Sequence, residues 1–196
     1  LVKQDFPDRA PLCPFKDYTK IEERERSSLG EELCRQGKLA CIVVAGGQGS
    51  RLNFPYPKGM YPVSVVEKKT LYQVLAEKVQ SASKYYACHL SLAIMTSPHT
   101  HKETLQYFKE NNNFSLSPEQ VSFFCQSSLP FLDETGNLCL ENKVNLAEGA
   151  DGNGSSLRHF YEQGIWDKWH KQGIEHVHFL QIDNPLADPF DLDLLS

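Results

Sequence analysis

Long apolar runs are missing from this 196-residue chain. Nothing approaches the ~20 consecutive apolar residues that a membrane-crossing helix requires, so no membrane partner is expected. The opening stretch, LVKQDFPDRAPLCPF, holds no apolar segment of the kind a secretory leader needs, and it reads as no signal peptide. A basic excess is missing too: the formal net charge is −5. A nucleic-acid partner is therefore not expected, because such proteins normally present surplus Lys and Arg to the phosphates. The six cysteines, at positions 13, 34, 41, 88, 125 and 139, form no C-x-x-C pair. Several lie in or beside apolar runs, which predicts buried reduced thiols and a cytoplasmic location. Neither a nucleophile elbow nor a Ser-His-Asp order is present. The pairs His99-x-His101 and His176-x-His178 read as core or surface histidines rather than metal ligands. No internal repeat or low-complexity segment occurs, and the length suits one domain with a sizeable core.

What the chain does have is a phosphate-binding layout between Cys41 and Tyr61, CIVVAGGQGSRLNFPYPKGMY. Leu39 to Ala45 is an unbroken apolar run rich in β-branched residues, as expected of a strand buried on both faces of a parallel sheet. Gly46, Gly47 and Gly49 follow at once. Lacking Cβ atoms, they permit positive φ and can bring backbone N–H groups up to a phosphate. Arg51 and Lys58 then supply two cations. The spacing is not that of a Walker A loop, because no Lys follows the glycines directly. It also fails the dinucleotide fingerprint, since Leu52 stands where a third Gly or Ala is required. Glycines after a strand can equally form a plain turn; Arg51 and Pro57-Lys58-Gly59 favour the phosphate reading.

Along the rest of the chain, strand and helix patterns alternate. Residues 1–37 carry a Pro-rich lead and a charged segment from Ile21 to Gln36, read as a helical arm preceding a nucleotide-binding part over 38–196. Thr70-Leu71-Tyr72-Gln73 opens a helix with a capping-box pattern, with Leu71, Val74, Leu75 and Val79 on one face. Leu90–Met95 reads as a second buried strand, and Thr100-x-x-Glu103 starts a helix with Leu105 and Phe108 toward the core. Val121–Gln126 is a third strand, and Leu138, Leu140, Val144 and Leu146 suggest a small antiparallel excursion. A second glycine-rich loop at Asp151-Gly152-Asn153-Gly154 precedes a helix carrying Leu157, Phe160 and Tyr161. A short helix over Ile165–Lys171 and a fourth buried strand, His176–Ile182, lead to Asp183. The alternation predicts a doubly wound α/β domain with a mainly parallel sheet and helices on both faces. Ligands of such sheets bind beyond the carboxyl ends of the strands, where the glycine loop, Gln126, Gly152 and Asp183 are expected to converge.

Ala45-Gly46-Gly47-Gln48-Gly49-Ser50-Arg51-Leu52 followed by Tyr56-Pro57-Lys58-Gly59-Met60-Tyr61 resembles the signature of the eukaryotic-type UDP-N-acetylglucosamine pyrophosphorylases. The resemblance implies a Rossmann-like, GT-A-like nucleotidyltransferase fold, of which this chain is the N-terminal half. It implies a uridylyltransferase that takes UTP and a sugar 1-phosphate, N-acetylglucosamine 1-phosphate foremost, with Mg²⁺ or Mn²⁺; it implies no particular oligomeric state. By the same resemblance Ala45, Gly46, Gly47 and Gly49 meet the nucleotide, the Gly152 main chain and the Gln126 amide read the uracil edge, and Asn153 contacts the sugar. Arg51 and Lys58 screen the phosphates, and Asp183 binds the metal. On its own residue type Gln126 is equally a strand-end side chain bonded to a turn, and the alternative for Asp183 is an N-cap or Asx-turn role. The pattern departs from the family at Ser50, Asn53 and Ser155 and in a shortened segment after Asp183, where Pro185 intrudes. Two other readings stand beside the enzyme: a non-catalytic uridine-nucleotide-binding module, and a nicotinamide-binding dehydrogenase domain.

Overall fold

The computed structural model describes residues 28–192. Of the predicted arm, only α1 (Ser28–Arg35) falls within that span; residues 1–27 and Cys13 lie outside the described residues.

The apolar run after α1 forms β1 (Leu39–Val44), buried at every position. A strand with no polar side must be covered on both faces and both edges, and β1 is. It pairs in parallel with β2 (Ser91–Thr96) on one side and β6 (His176–Gln181) on the other. β2 in turn pairs in parallel with β3 (Val121–Cys125), giving the order β3-β2-β1-β6. The chain thus steps outward from β1 through β2 to β3 and returns to the far side of β1, so the order reverses beside β1.

Alternation along β1 and β2 sorts the core into two layers. Cys41, Val43, Leu92 and Ile94 face α2 (Leu71–Tyr86) and α3 (His101–Glu110), meeting Leu75, Val79 and Phe108. Ala40, Ile42, Ala93 and Met95 face α4 (Ser156–Glu162) and α5 (Ile165–Lys171), meeting Phe160, Ile165 and Trp169. Helices on both faces of a parallel sheet make this the doubly wound α/β architecture expected. Truncating a buried aromatic such as Phe108 to Ala would cost about 3–5 kcal/mol.

The helix starts differ from their expected chemistry. Thr70 caps α2, its Oγ1 accepting from Gln73 N at 3.3 Å, but Gln73 does not reciprocate and donates to Glu77 Oε1 instead. Thr100 Oγ1 caps no helical N–H; it accepts from Ser97 N at 3.0 Å and tightens the preceding turn. On α3 the inward residues are Thr104 and Phe108, one turn apart, whereas Leu105 is 37% exposed. The Thr104 hydroxyl can sit inward because it is 3.3 Å from the Tyr72 hydroxyl. Leu157 and Tyr161 likewise face outward on α4, leaving Ser156, His159 and Phe160 buried. β6 is the sheet edge among the described residues and is largely exposed, not the buried strand expected.

Between β3 and α4 the chain makes the expected antiparallel excursion. β4 (Ser128–Pro130) pairs with β5 (Glu148–Ala150), and bridges at Leu132–Leu138 and Leu140–Leu146 extend the arm. Asp133 fixes its turn, one carboxylate oxygen accepting from the N–H groups of Thr135 and Asn137 at 2.9 Å each.

Candidate active site at the sheet switch point

A cleft of about 230 Å³ opens where the strand order reverses, at the carboxyl ends of β1 and β6. Gly46 and Gly47 enter it from β1, Gln126 from β3, Gly152 and Asn153 from the second glycine loop, Asp183 from β6 and Lys58 from the segment after the first loop. Such a crevice is where doubly wound sheets take their ligands. A larger hollow of about 620 Å³ lies between Phe54, Tyr56 and α3, but among the described residues none of those lining it carries a buried, unpartnered side-chain polar atom.

The first loop folds back on itself. Gly49 N donates to Tyr56 O and Lys58 N to Gly47 O, both at 3.0 Å, so Lys58 returns beside the glycines. Gly46, Gly47 and Gly49 all avoid the left-handed region; close approach, not positive φ, is what Gly46 and Gly49 provide. A Cβ on Gly46 would overlap the Gln126 amide, and one on Gly49 would strike Phe54. The left-handed residue of this loop is Asn53, at φ 52°. Asn tolerates that conformation better than most other side chains.

Gln126 is the most constrained polar group in the cleft. Its backbone N–H donates to Thr96 O at 2.9 Å, its side chain is only 5% exposed, and its Oε1 has no hydrogen-bond partner. A buried amide oxygen without a donor costs on the order of 1–3 kcal/mol, so a ligand donor placed there would recover that loss. Opposite it, Asp151 N donates to Ser127 O at 3.0 Å and Gly152 takes φ 86°.

The Asp151 carboxyl is held down to about 2 by hydrogen bonds from Ser155, Ser127 and His159. Ser127 Oγ donates to Asp151 Oδ2 at 2.8 Å, and His159 Nε2 lies 3.1 Å from both atoms. Neither Ser127 nor His159 carried any signal in the sequence.

At the end of β6, Asp183 is exposed rather than closing a buried strand, and its Oδ2 pairs with Lys58 Nζ at 3.3 Å across the cleft. The loop beyond it is held by Lys78, whose Nζ donates to Pro185 O and Ala187 O at 2.7 Å each. Among the described residues no cluster of three or more His, Cys, Asp or Glu is placed to cage a metal. One carboxylate in an open cleft fits a Mg²⁺-type ion carried on phosphate oxygens, which takes one or two protein carboxylates and keeps its waters. Not every predicted residue lines the cleft. Ala45 is buried beneath it, Gly49 sits in the turn against Phe54, and Arg51 stands exposed on the one-turn helix Ser50–Leu52. Of the histidines, His101 Nδ1 meets Thr96 Oγ1 at 2.7 Å and His178 Nδ1 donates to Pro189 O at 3.0 Å.

Comparison with known proteins places these features in context. The family model described as UTP–glucose-1-phosphate uridylyltransferase matches residues 5–196. A UDP-N-acetylglucosamine pyrophosphorylase of Saccharomyces cerevisiae is 39% identical over 191 residues, covering 92% of this chain and 40% of that protein. The mouse UDP-N-acetylhexosamine pyrophosphorylase-like protein 1 is 37% identical, over 96% of this chain and 41% of its own length. The crystal structure of the Trypanosoma brucei UDP-N-acetylglucosamine pyrophosphorylase, solved with an inhibitor, superposes with a TM-score of 0.78 at 30% identity. It covers 86% of this chain and 37% of the trypanosomal one. The chain spans about 40% of the length of the curated relatives it matches.

Proposed function

The chain belongs to the UTP–glucose-1-phosphate uridylyltransferase family, and on that premise we propose that it forms the nucleotide-binding part of an enzyme joining UTP to a sugar 1-phosphate. N-acetylglucosamine 1-phosphate is the sugar substrate favoured, in keeping with the yeast relative's name. The reaction forms a bond from the sugar-phosphate oxygen to the α-phosphorus of UTP and breaks the bond to pyrophosphate.

One observation carries the reading: the buried, unpartnered Oε1 of Gln126 across the cleft from the Gly152 backbone. Uracil offers a donor at N3 and an acceptor at O4. Gln126 Oε1 takes the first and the Gly152 N–H the second. Cytosine reverses both edges and leaves both protein groups unmet, a mismatch that can discriminate by ~10⁴. Gly46 and Gly47 admit the nucleotide close to the backbone, and Asn153 faces the sugar.

Two anions must meet for reaction, and like unit charges at 4 Å cost about 4 kcal/mol at an effective dielectric of 20. Lys58, which lines the cleft, offsets this; Arg51, exposed outside the lining, is assigned to the outer phosphates. Positioning and screening then supply the catalysis without a protein nucleophile. Asp183 would hold a divalent cation, Mg²⁺ or Mn²⁺, which when bound neutralises phosphate charge. The surface pair Lys58–Asp183 contributes about 0–1 kcal/mol, so releasing its members to phosphate and cation costs little. A cytoplasmic, reducing setting suits the five described cysteines, all of them free.

Calorimetric titration of the chain with UTP, CTP and NAD, each with and without Mg²⁺, tests the reading. Saturable UTP binding strengthened by Mg²⁺, with CTP weaker by at least about tenfold, is the expected result. Equal affinity for the two pyrimidines, or preference for NAD, would refute it.

A further inference from the structure

Gln126 and Gly152 reach the cleft from segments with no covalent reason to keep a fixed separation. Their immediate neighbours, Ser127 and Asp151, are bound to each other twice. Asp151 N donates to Ser127 O at 3.0 Å, and Ser127 Oγ donates to Asp151 Oδ2 at 2.8 Å. His159, on α4 and 7% exposed, closes the contact from behind. Its Nε2 lies 3.1 Å from Ser127 Oγ and from Asp151 Oδ2, and 3.3 Å from Ser127 N. Arg158 adds an exposed contact to the same carboxylate at 3.3 Å.

Three residue types of a hydrolytic triad are therefore together, but not wired as one. In a triad the carboxylate takes Nδ1–H and the hydroxyl meets Nε2. Here both meet Nε2, Nδ1 lies 3.6 Å from Glu162 Oε2, and the serine proton goes directly to Asp151. The serine is a donor to the carboxylate, not a nucleophile activated by the imidazole.

The geometry points to Ser127 and His159 as positioning residues that, through Asp151, set the distance between the two uracil-reading groups, Gln126 and Gly152. The inference rests on the uridine-nucleotide reading above. Gly152 needs such a clamp because a glycine at φ 86° sits in a region with few steric walls; Ser155 Oγ donates to its carbonyl at 3.3 Å, and the direction of its N–H is set by what holds Asp151 before it. Misplacing a positioning group by 1 Å can cost ~10²-fold. Neither His159 nor Ser127 lines the cleft, so their effect would reach the base through the spacing of Gln126 and Gly152, which do.

The test compares the 196-residue chain with Ser127→Ala, His159→Ala and His159→Gln, whose amide reaches the place of Nε2. UTP and CTP affinities are measured by calorimetry, and exchange of the Asp151 amide is followed by NMR against amides of β1 and α2. Ser127→Ala and His159→Ala should each erode the UTP-over-CTP ratio by about tenfold and speed Asp151 exchange while β1 and α2 keep their protection. His159→Gln should restore most of the ratio. Mere destabilisation would weaken both nucleotides alike and open β1 as well, which would overturn the proposal. An unchanged ratio with unchanged Asp151 exchange in both alanine variants would also overturn it, leaving uridine binding intact. If the parent chain itself fails to prefer UTP, the uridine reading falls and takes the specificity role with it. Should His159→Ala not fold, Ser127→Ala, which removes one oxygen, decides the matter.

Discussion

Gly46→Ala isolates the close approach on which the cleft is built. The new Cβ would overlap Gln126 Nε2, lie 3.2 Å from Gln126 Cδ and sit 3.4 Å from Ser97 Cβ. Ser97, 2% exposed, cannot give way, so the Gln126 amide, the end of a side chain that lines the cleft, must turn out of its packed position. Overpacking of this kind costs about 1–3 kcal/mol, and the stiffer unfolded chain returns about 0.4–1 kcal/mol. The net loss is on the order of 1–2 kcal/mol, a fall in Tm of roughly 2–8 °C for a chain of this length. Gly47→Ala is the internal control, because a Cβ there meets nothing within 4 Å. Its stability should stay within about 0.5 kcal/mol of the parent. Combining Gly46→Ala with Gln126→Ala removes the obstructing amide, so the double variant should lose less than the sum of the singles by about 0.5–3 kcal/mol. Thermal and urea melts read the stabilities, and UTP and CTP titrations read the displaced amide as a loss of base preference. If Gly46→Ala melts with Gly47→Ala, adds simply with Gln126→Ala and keeps the base preference, the packing argument is wrong.

Two further predictions use the site's charges. Lys58→Ala should weaken UTP binding more than uridine binding, by about tenfold or more, with little change in stability because its ion pair is exposed. Equal losses for both ligands would remove Lys58 from the phosphates. The Asp151 carboxyl sits at about 2 when folded against an ordinary 3.8. A depressed folded pKa gives stability that is fully present above about 4 and is lost as pH falls toward 2. The slope of Tm against pH in that window should be shallower in Asp151→Asn. It should not vanish, because Asp133, also held at about 2 by Thr135 and Asn137, titrates over the same range.

The parts of the fold legible in the sequence were those fixed by local pattern. β1 announced itself by an apolar run too continuous for any half-exposed element, and α5 spans Ile165–Lys171 because Gly164 and Gly173, both at positive φ, close its ends. Position at a strand end, or in a loop beside one, sufficed to bring the first glycine loop, Gln126, Gly152 and Asp183 to one crevice once the doubly wound class was assigned. What escaped depends on partners far along the chain. Ser127 and His159 are 32 residues apart, and Lys58 and Asp183 are 125 apart. No periodicity encodes such pairs; only the strand order does. Leu105 was expected inward on hydrophobicity alone, but the Tyr72 hydroxyl lets Thr104 take that side of α3. Asp183 was placed at the end of a buried strand because an apolar run does not reveal which strand is the edge. The glycines after β1 invite a torsional explanation, whereas Gly46 makes room for the Gln126 amide and Gly49 for Phe54.

The Lys58–Asp183 pair gives the cleft the character of an ion exchanger. Each group already holds a counter-ion, and that counter-ion is the other. A ligand carrying both signs, an anion with its own cation, can enter by double displacement: lysine passes to the anion and aspartate to the cation. Local electroneutrality is kept throughout. A ligand of one sign must leave one partner stranded. On the proposed reading this would favour the complex over either ion alone, by no more than the about 0–1 kcal/mol that the exposed pair is worth.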